Sequence, residues 1–167
     1  PMDTDMVCLC NPNNPTGQLI DREVLEQVAD YCQKTDTCLL LDECFHDFLE
    51  EGSVHTLLPR VKENPKLFVL RAFTKMYGMA GLRLGYGICS DTELIRRMEQ
   101  VTQPWNVSVP AQAAGIAAAR EQEFVAVSRQ MITEQKKLLL AGLEAAGAKV
   151  YGSAANYIFF RAAPGFD

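Results

Sequence analysis

Four short apolar segments in the first ninety residues each end directly at polar residues, and this pattern constrains the fold more than any other feature of the sequence. They are residues 5–10, 38–41, 67–70 and 84–89. They are rich in Val, Leu and Ile and lack the alternation of polar and apolar residues that a half-exposed strand shows. Such segments are typical of parallel strands, so we expect an α/β fold whose strands are buried on both faces.

Helical patterns separate and follow these strands. Apolar residues at a spacing of three and four predict a helix that Asp21 caps and that ends near Lys34. Gly147 fits the position just after the end of a long helix. The further predicted helices cover residues 91–101, 109–120 and 124–146, and two predicted strands cover residues 149–151 and 157–161.

Composition and charge exclude several classes of function. The 167 residues are 48% apolar and carry a net charge of −5, with basic residues scattered rather than interleaved with aromatic ones. This argues against a nucleic-acid-binding surface and favours a small molecule as the partner. No apolar run is long enough to cross a bilayer, so we expect a cytoplasmic protein. The six cysteines form no paired metal-ligand motif, and we expect them to be reduced, buried thiols.

Polar side chains follow the predicted strands at what should be one edge of the sheet. Asn14 lies in the loop after the first strand, Asp42 follows the second, and Thr74 and Lys75 follow the third, with Arg83 eight residues further on. Ligands of open parallel sheets bind at the carboxyl ends of the strands, so we expect these residues to converge. A carboxamide, a carboxylate, a lysine and an arginine suit a phosphorylated heteroaromatic aldehyde, and pyridoxal 5'-phosphate is such a molecule.

Three motifs in order along the chain carry a resemblance to a known family. They are NPNNPTG at residues 11–17, LLLDECF at residues 39–45 and FTKMYGMAGLRLGYG at residues 73–87. The sequence resembles the fold-type-I pyridoxal-phosphate enzymes of the class I and II aminotransferase group. Within that group it is most similar to the branch of histidinol-phosphate aminotransferases and threonine-phosphate decarboxylases. The resemblance covers nearly the whole chain and implies an aspartate-aminotransferase-like fold, with a mostly parallel sheet flanked by helices.

The resemblance implies a role for each residue at the strand ends. Lys75 would form the Schiff base with the cofactor and carry the proton, and Asp42 would keep the pyridine nitrogen protonated. Asn14 would donate to the phenolic oxygen, while Thr74 and Arg83 would bind the phosphate. No metal is implied. Taken singly, each residue has a plainer explanation: a solvated lysine, a capping aspartate, a turn asparagine, a capping threonine or a surface arginine.

Some positions depart from the family's pattern or stay ambiguous. Phe45 stands where many aminotransferases have a tyrosine whose hydroxyl also reaches the phenolic oxygen, so Asn14 would bind that oxygen alone. Ala72 stands where relatives often have a serine or threonine on the phosphate. Trp105 and Tyr77 could line a substrate site or a dimer contact, although aromatic residues more often belong to the core.

The resemblance implies an enzyme that acts on an amino acid or an amino phosphate ester by transamination, with decarboxylation of an amino acid phosphate as the alternative. A non-catalytic binding module with the same fold is a rival. A nucleotide-binding domain is another, but the chain lacks GxGxxG and GxxxxGK[ST]. Residues 1–147 would be the central and C-terminal part of the cofactor-binding large domain, and residues 148–167 the start of a small domain. We expect the chain to be part of a longer, homodimeric protein and to be inactive in isolation.

Overall fold

A four-stranded sheet forms the centre of the protein. A computed structural model describes residues 3–50 and 52–165. Within them, the strands of this sheet lie side by side in chain order: β1 (Met6–Cys10), β2 (Cys38–Asp42), β3 (Leu67–Ala72) and β4 (Gly85–Ile88). β1, β2 and β3 are parallel, whereas β4 runs antiparallel to β3. The expected α/β fold with a mostly parallel sheet is confirmed.

The register of the sheet brings the ends of the three parallel strands to one edge. Asp42 at the end of β2 pairs with Cys10 at the end of β1 and with Leu70 of β3. The backbone continues this pairing by one residue, because the Asn11 N–H donates to the Asp42 carbonyl (2.9 Å) and the Glu43 N–H to the Leu70 carbonyl (3.0 Å). The polar segments that follow the three strands therefore leave the sheet side by side.

The predicted helices are confirmed, with ends that differ by a few residues. Asp21 caps the start of the first helix by accepting from the Glu23 N–H (2.8 Å), and Asp91 caps the next predicted helix by accepting from two backbone N–H groups (3.0 Å each). Gly147, just after the end of the long helix, has a left-handed φ of +78°. The structure adds a short helix that the pattern did not predict. In the described residues the helices are α1 (Arg22–Lys34), α2 (Gly52–His55), α3 (Thr92–Val101), α4 (Val109–Ala118) and α5 (Gln122–Ala145).

The hydrophobic core lies on one face of the sheet, against α1. Leu39 and Leu41 of β2 are fully buried there with Leu25 of α1, because alternate residues of a strand point to the same face. The opposite face is partly open and has an apolar groove of about 550 Å³, lined by Leu40, Met98 and others. Met6 of β1 is 54% exposed. The expectation of strands buried on both faces is therefore wrong for β1 and β4, in which no residue is fully buried. An apolar segment predicts that a strand can be buried, but it does not show which elements cover each face.

The last strands are shorter than predicted. β5 (Lys149–Val150) pairs antiparallel with β6 (Phe160–Arg161), so the strand expected over residues 157–161 is confirmed only at its end. Residues 151–157, which we call the return segment, instead fold back onto the loop after β1. The hydrogen bond from the Ala154 N–H to the Gly17 carbonyl (2.8 Å) is one of these contacts. Beyond the Tyr151 N–H, which still donates to the Phe159 carbonyl (3.1 Å), contacts with this loop take the place of strand pairing.

Two further outcomes concern Trp105 and the cysteines. Trp105 is 95% exposed, so of the alternatives given for it the core is excluded, whereas a substrate site or a dimer contact stays a prediction. The cysteines are free thiols, but Cys8 is exposed and Cys32 is the one whose side chain is fully buried among the six. Within the residues the structure describes, no helix combines the length and the apolar character that crossing a membrane requires.

Candidate active site

The polar residues that follow β1, β2 and β3 line one cavity. Its volume of about 560 Å³ lies in the range of small-molecule sites. The structure brings together here all the residues predicted from the strand ends: Asn14, Asp42, Thr74, Lys75 and Arg83. Cys44, Phe45, Arg71 and Ala72 also line it. The roles predicted for individual residues at this site remain predictions.

Asp42 lies at the end of β2 beside two thiols. The Cys44 backbone N–H donates to the Asp42 Oδ1 (2.9 Å), and burial followed by the hydrogen bond to Asp42 raises the pKa of the Cys44 thiol to about 12. Burial also raises the pKa of Cys10, although a hydrogen bond from the Asn14 backbone opposes this. Both thiols are thus held in the neutral form next to the Asp42 carboxylate. The sequence motif LLLDECF contains Cys44, but its contact with Asp42 was not foreseen.

Lys75 extends into the cavity from the loop after β3. The neighbouring Met76 is buried and anchors the loop, which leaves Lys75 on the exposed side. The Lys75 Nζ lies 5.3 Å from the centroid of the Phe45 ring, within the range of a cation–π contact. An amine held over an aromatic face at a strand end is placed to react with a carbonyl group inside the cavity.

The same cavity also offers groups that suit a phosphate. Arg83 follows a single helical turn over residues 80–82, has a left-handed φ of +54° and donates to the Ala80 carbonyl (3.3 Å). Thr74 adds a hydroxyl. A guanidinium and a hydroxyl are donors of the kind that bind phosphate oxygens. Ala72 lines the same cavity without a polar side chain, so the departure from the family's pattern remains.

A buried ion pair stabilises the strand ends behind the cavity. The Glu43 carboxylate is fully buried and pairs with the Arg71 Nη2 (2.6 Å). It also accepts from the Thr56 hydroxyl (2.8 and 3.0 Å) and the Leu57 N–H (3.1 Å). Arg71 belongs to β3, whereas Thr56 and Leu57 belong to a segment between β2 and β3. The pair therefore holds the ends of β2 and β3 together with residues 56–57, and with them Asp42 and the start of the Lys75 loop. No sequence motif marks Arg71 for this role.

The loop that carries Asn14, residues 11–18, is here called the site loop. Its Asn11–Pro12 and Asn14–Pro15 peptide bonds are cis. Asn11 is buried, accepts from the Ile20 N–H (2.9 Å) and donates to the His55 carbonyl (3.3 Å). The Tyr157 hydroxyl donates to the Asn13 carbonyl (2.8 Å). This last contact was also missed, since 144 residues separate its partners along the chain.

The polar side chains of the cavity are complementary to the chemical groups of pyridoxal 5'-phosphate. Asp42 offers a carboxylate to a ring nitrogen, Lys75 an amine to an aldehyde, and Asn14 an amide to a phenolic oxygen. Thr74 and Arg83 offer donors to a phosphate. These side chains belong to different strand ends but line one cavity, which is large enough for a small molecule of this kind. The residues present therefore fit this cofactor.

Comparisons with known proteins agree with this assignment. The family model described as "Aminotransferase class I and II" matches residues 2–165. Among curated proteins, a histidinol-phosphate aminotransferase of Brevibacillus brevis is 37% identical over 155 residues, which cover 93% of this chain and 42% of the relative. A threonine-phosphate decarboxylase of Salmonella typhimurium is 36% identical over 160 residues, which cover 95% of this chain and 43% of the relative. The chain thus spans about two-fifths of the length of these relatives.

Solved structures show the same fold. The histidinol-phosphate aminotransferase from Clostridium acetobutylicum superposes with a TM-score of 0.90 at 29% identity, over 97% of this chain and 49% of that one. A histidinol-phosphate aminotransferase from Sinorhizobium meliloti, solved in complex with pyridoxal-5'-phosphate, has a TM-score of 0.85 at 24% identity, over 93% of this chain and 42% of that one. At that identity the second likeness concerns the fold alone.

Proposed function

The chain belongs to the class I and II aminotransferase family, and from this premise we propose that the whole protein is a pyridoxal-phosphate-dependent enzyme acting on an amino acid or an amino phosphate ester. The observation that carries the proposal is the cavity shared by Asn14, Asp42, Thr74, Lys75 and Arg83. A carboxylate and an amine that reach one cavity from neighbouring strand ends are the two groups this chemistry requires.

The bound cofactor supplies an electron sink for the charge that develops at the substrate's Cα. Asp42, oriented by the Cys44 N–H at its Oδ1, would hold a proton on the ring nitrogen. Lys75 would hold the cofactor through its amine and would carry a proton to and from Cα. Asn14 would orient the ring through its phenolic oxygen, and Arg83 with Thr74 would hold the phosphate end.

Transamination is the reaction we propose first, with decarboxylation of an amino acid phosphate as the alternative. The two types of relative support them almost equally, at 37% and 36% identity. The whole protein should be incubated with histidinol phosphate and a 2-oxo acid, and separately with O-phosphothreonine. Formation of an amino acid from the 2-oxo acid supports transamination, release of CO₂ supports decarboxylation, and neither product from a cofactor-loaded protein supports the non-catalytic binding module.

The attachment of the cofactor can be tested directly. Borohydride reduction of the loaded whole protein should fix the cofactor on Lys75, as peptide mapping would show. Lys75→Ala should bind no cofactor that borohydride can fix to the protein. Lys66→Ala is the matched control and should behave as the wild type, because Lys66 forms an ion pair with Asp36 outside the cavity. A label on Lys34 or Lys66 would contradict the site assignment.

We also propose a homodimeric, cytoplasmic protein in which residues 148–167 begin a second, small domain. The separate two-stranded sheet of β5 and β6 supports the domain boundary. Exposed apolar residues on α4 and α5, such as Ile116 and Met131, support an interface. Six free thiols fit a reducing compartment. Sedimentation analysis of the whole protein tests the dimer, and a monomer at micromolar concentration would contradict it.

A further inference from the structure

Tyr157 lies where the return segment meets the site loop. Three further contacts join the same two segments: the Gln18 Nε2 donates to the Tyr151 carbonyl (2.7 Å), the Ala154 N–H donates to the Gly17 carbonyl (2.8 Å), and Gly17 packs closely on Ser153. The return segment therefore forms a support for the loop that carries Asn14.

The Tyr157 hydroxyl acts on the peptide unit that leads into Asn14. The Asn13 carbonyl accepts from the Tyr157 hydroxyl (2.8 Å) and from the Gly17 N–H (2.6 Å). Because a peptide unit is planar, two donors on its oxygen restrict the orientation of the whole Asn13–Asn14 plane. The position of the Asn14 side chain depends on that plane. The Tyr157 hydroxyl is protonated at neutral pH and can donate, and burial raises its pKa further.

The Tyr157 ring acts on a second wall of the cavity. It packs edge-on against the Phe45 ring, with a centroid distance of 5.0 Å and an interplanar angle of 87°. The Phe45 ring in turn lies under the Lys75 Nζ at 5.3 Å. The Tyr157 side chain thus supports both the site loop, which carries Asn14, and the Phe45 ring beside Lys75.

We propose that Tyr157 is a positioning residue that holds Asn14 and Phe45 in the geometry that binds the cofactor, and so couples the return segment to the candidate active site. The proposal rests on the proposed function. Tyr157 itself does not line the cavity. Its hydroxyl acts through the Asn13 carbonyl, and its ring acts through Phe45.

A double-mutant cycle on cofactor binding tests the hydroxyl's part. Tyr157→Phe keeps the ring and removes one hydrogen bond, so the dissociation constant of pyridoxal 5'-phosphate from the whole protein should rise about fivefold. In an Asn14→Ala background the same change should have less than a twofold effect, because the group through which the hydroxyl acts is gone. A merely structural tyrosine would weaken binding equally in both backgrounds, and that result would overturn the proposal.

Hydrogen exchange and cofactor binding together distinguish a failure of the positioning role from a failure of the proposed function. Hydrogen exchange of residues 13–18 in the cofactor-free protein should accelerate in Tyr157→Phe and not in the control Tyr151→Phe, whose ring lies in the same segment and packs on Phe159. Unchanged exchange and unchanged binding in Tyr157→Phe would overturn the positioning role while leaving the proposed function intact. A wild-type protein that binds no pyridoxal 5'-phosphate would instead refute the proposed function itself.

Discussion

Phe45 gives the candidate site an aromatic wall without a hydroxyl group. Its ring faces the Lys75 Nζ at 5.3 Å from the centroid and carries no hydroxyl. Phe45→Tyr adds a donor to this wall, which should stabilise an anionic phenolic oxygen and favour the unprotonated form of the lysine-bound cofactor. We expect the spectrophotometric pKa of that chromophore to fall.

Phe73→Tyr is the matched control for this change, because Phe73 itself does not line the cavity. Its ring packs against Tyr77 and against Tyr86, of which only Tyr86 lines the cavity. The chromophore of this variant should titrate as in the wild type. If the pKa rises in Phe45→Tyr, or stays where it is, the hydroxyl does not reach the cofactor and the arrangement inferred for this wall is wrong.

Cys44 illustrates how burial, together with a hydrogen bond to the neighbouring Asp42, controls the reactivity of a thiol. With its pKa raised to about 12, this thiol is almost entirely protonated at pH 8, and the thiolate is the form that alkylating agents attack. We expect iodoacetamide to leave Cys44 unmodified in the folded protein between pH 7 and 9, and to modify it once urea unfolds the chain, as mass spectrometry of the peptide would show. Rapid labelling of Cys44 in the folded state would contradict the raised pKa.

The grouping of site residues was foreseeable, but their supports were not. Asn14, Asp42 and Lys75 each follow an apolar strand, and the parallel-sheet rule alone brings such residues to one edge. Nothing local marks Tyr157 as a partner of Asn13, since a hydroxyl to carbonyl contact across 144 residues leaves no pattern in the sequence. Such contacts depend on tertiary packing.

At the scale of the elements, the ends of the helices could be predicted from the sequence more closely than the burial of the strands. Asp21, Asp91 and Gly147 mark helix ends through backbone hydrogen bonding and left-handed geometry, which are local properties. Burial of a strand depends on what packs against it. The apolar residues of β1 predicted burial, yet Met6 is more than half exposed because the described elements cover mainly the other face of the sheet.

The site loop offers a test of close packing between elements. Gly17 has a φ of +69°, and a Cβ there would lie 2.2 Å from the Ser153 Oγ. Gly17→Ala should therefore lower the free energy of unfolding by at least about 1 kcal/mol, through backbone strain and displacement of the return segment. Chemical denaturation of the whole protein measures this.

Gly142→Ala is the opposite case within the same chain. Gly142 lies inside α5, and a Cβ there meets no atom within 4 Å. Because alanine favours a helix interior, this substitution should raise the free energy of unfolding by up to about 1 kcal/mol. Equal effects of the two substitutions would show that Gly17 is not held against Ser153.

At the scale of the whole molecule, α5 connects parts that are distant in sequence. Arg129 donates through Nε (3.0 Å) and Nη2 (2.8 Å) to the Asp47 carbonyl, just after the Asp42 motif. Two turns further along, the Lys136 Nζ donates to the carbonyls of Ser153 (3.1 Å) and Ala155 (3.0 Å) in the return segment. One helix thus joins the segment after β2 to the support beneath the site loop.

Lys136→Met tests this connection because it keeps the aliphatic stem and removes both donated hydrogen bonds. Backbone amides of the return segment should then exchange faster, and cofactor binding should weaken because Tyr157 belongs to that segment. Lys137→Met is the matched control, since Lys137 is exposed on the same helix. Hydrogen exchange measured by mass spectrometry on both variants of the whole protein gives the comparison. Faster exchange in the Lys137 variant as well, or in neither, would mean that Lys136 does not hold the return segment against α5.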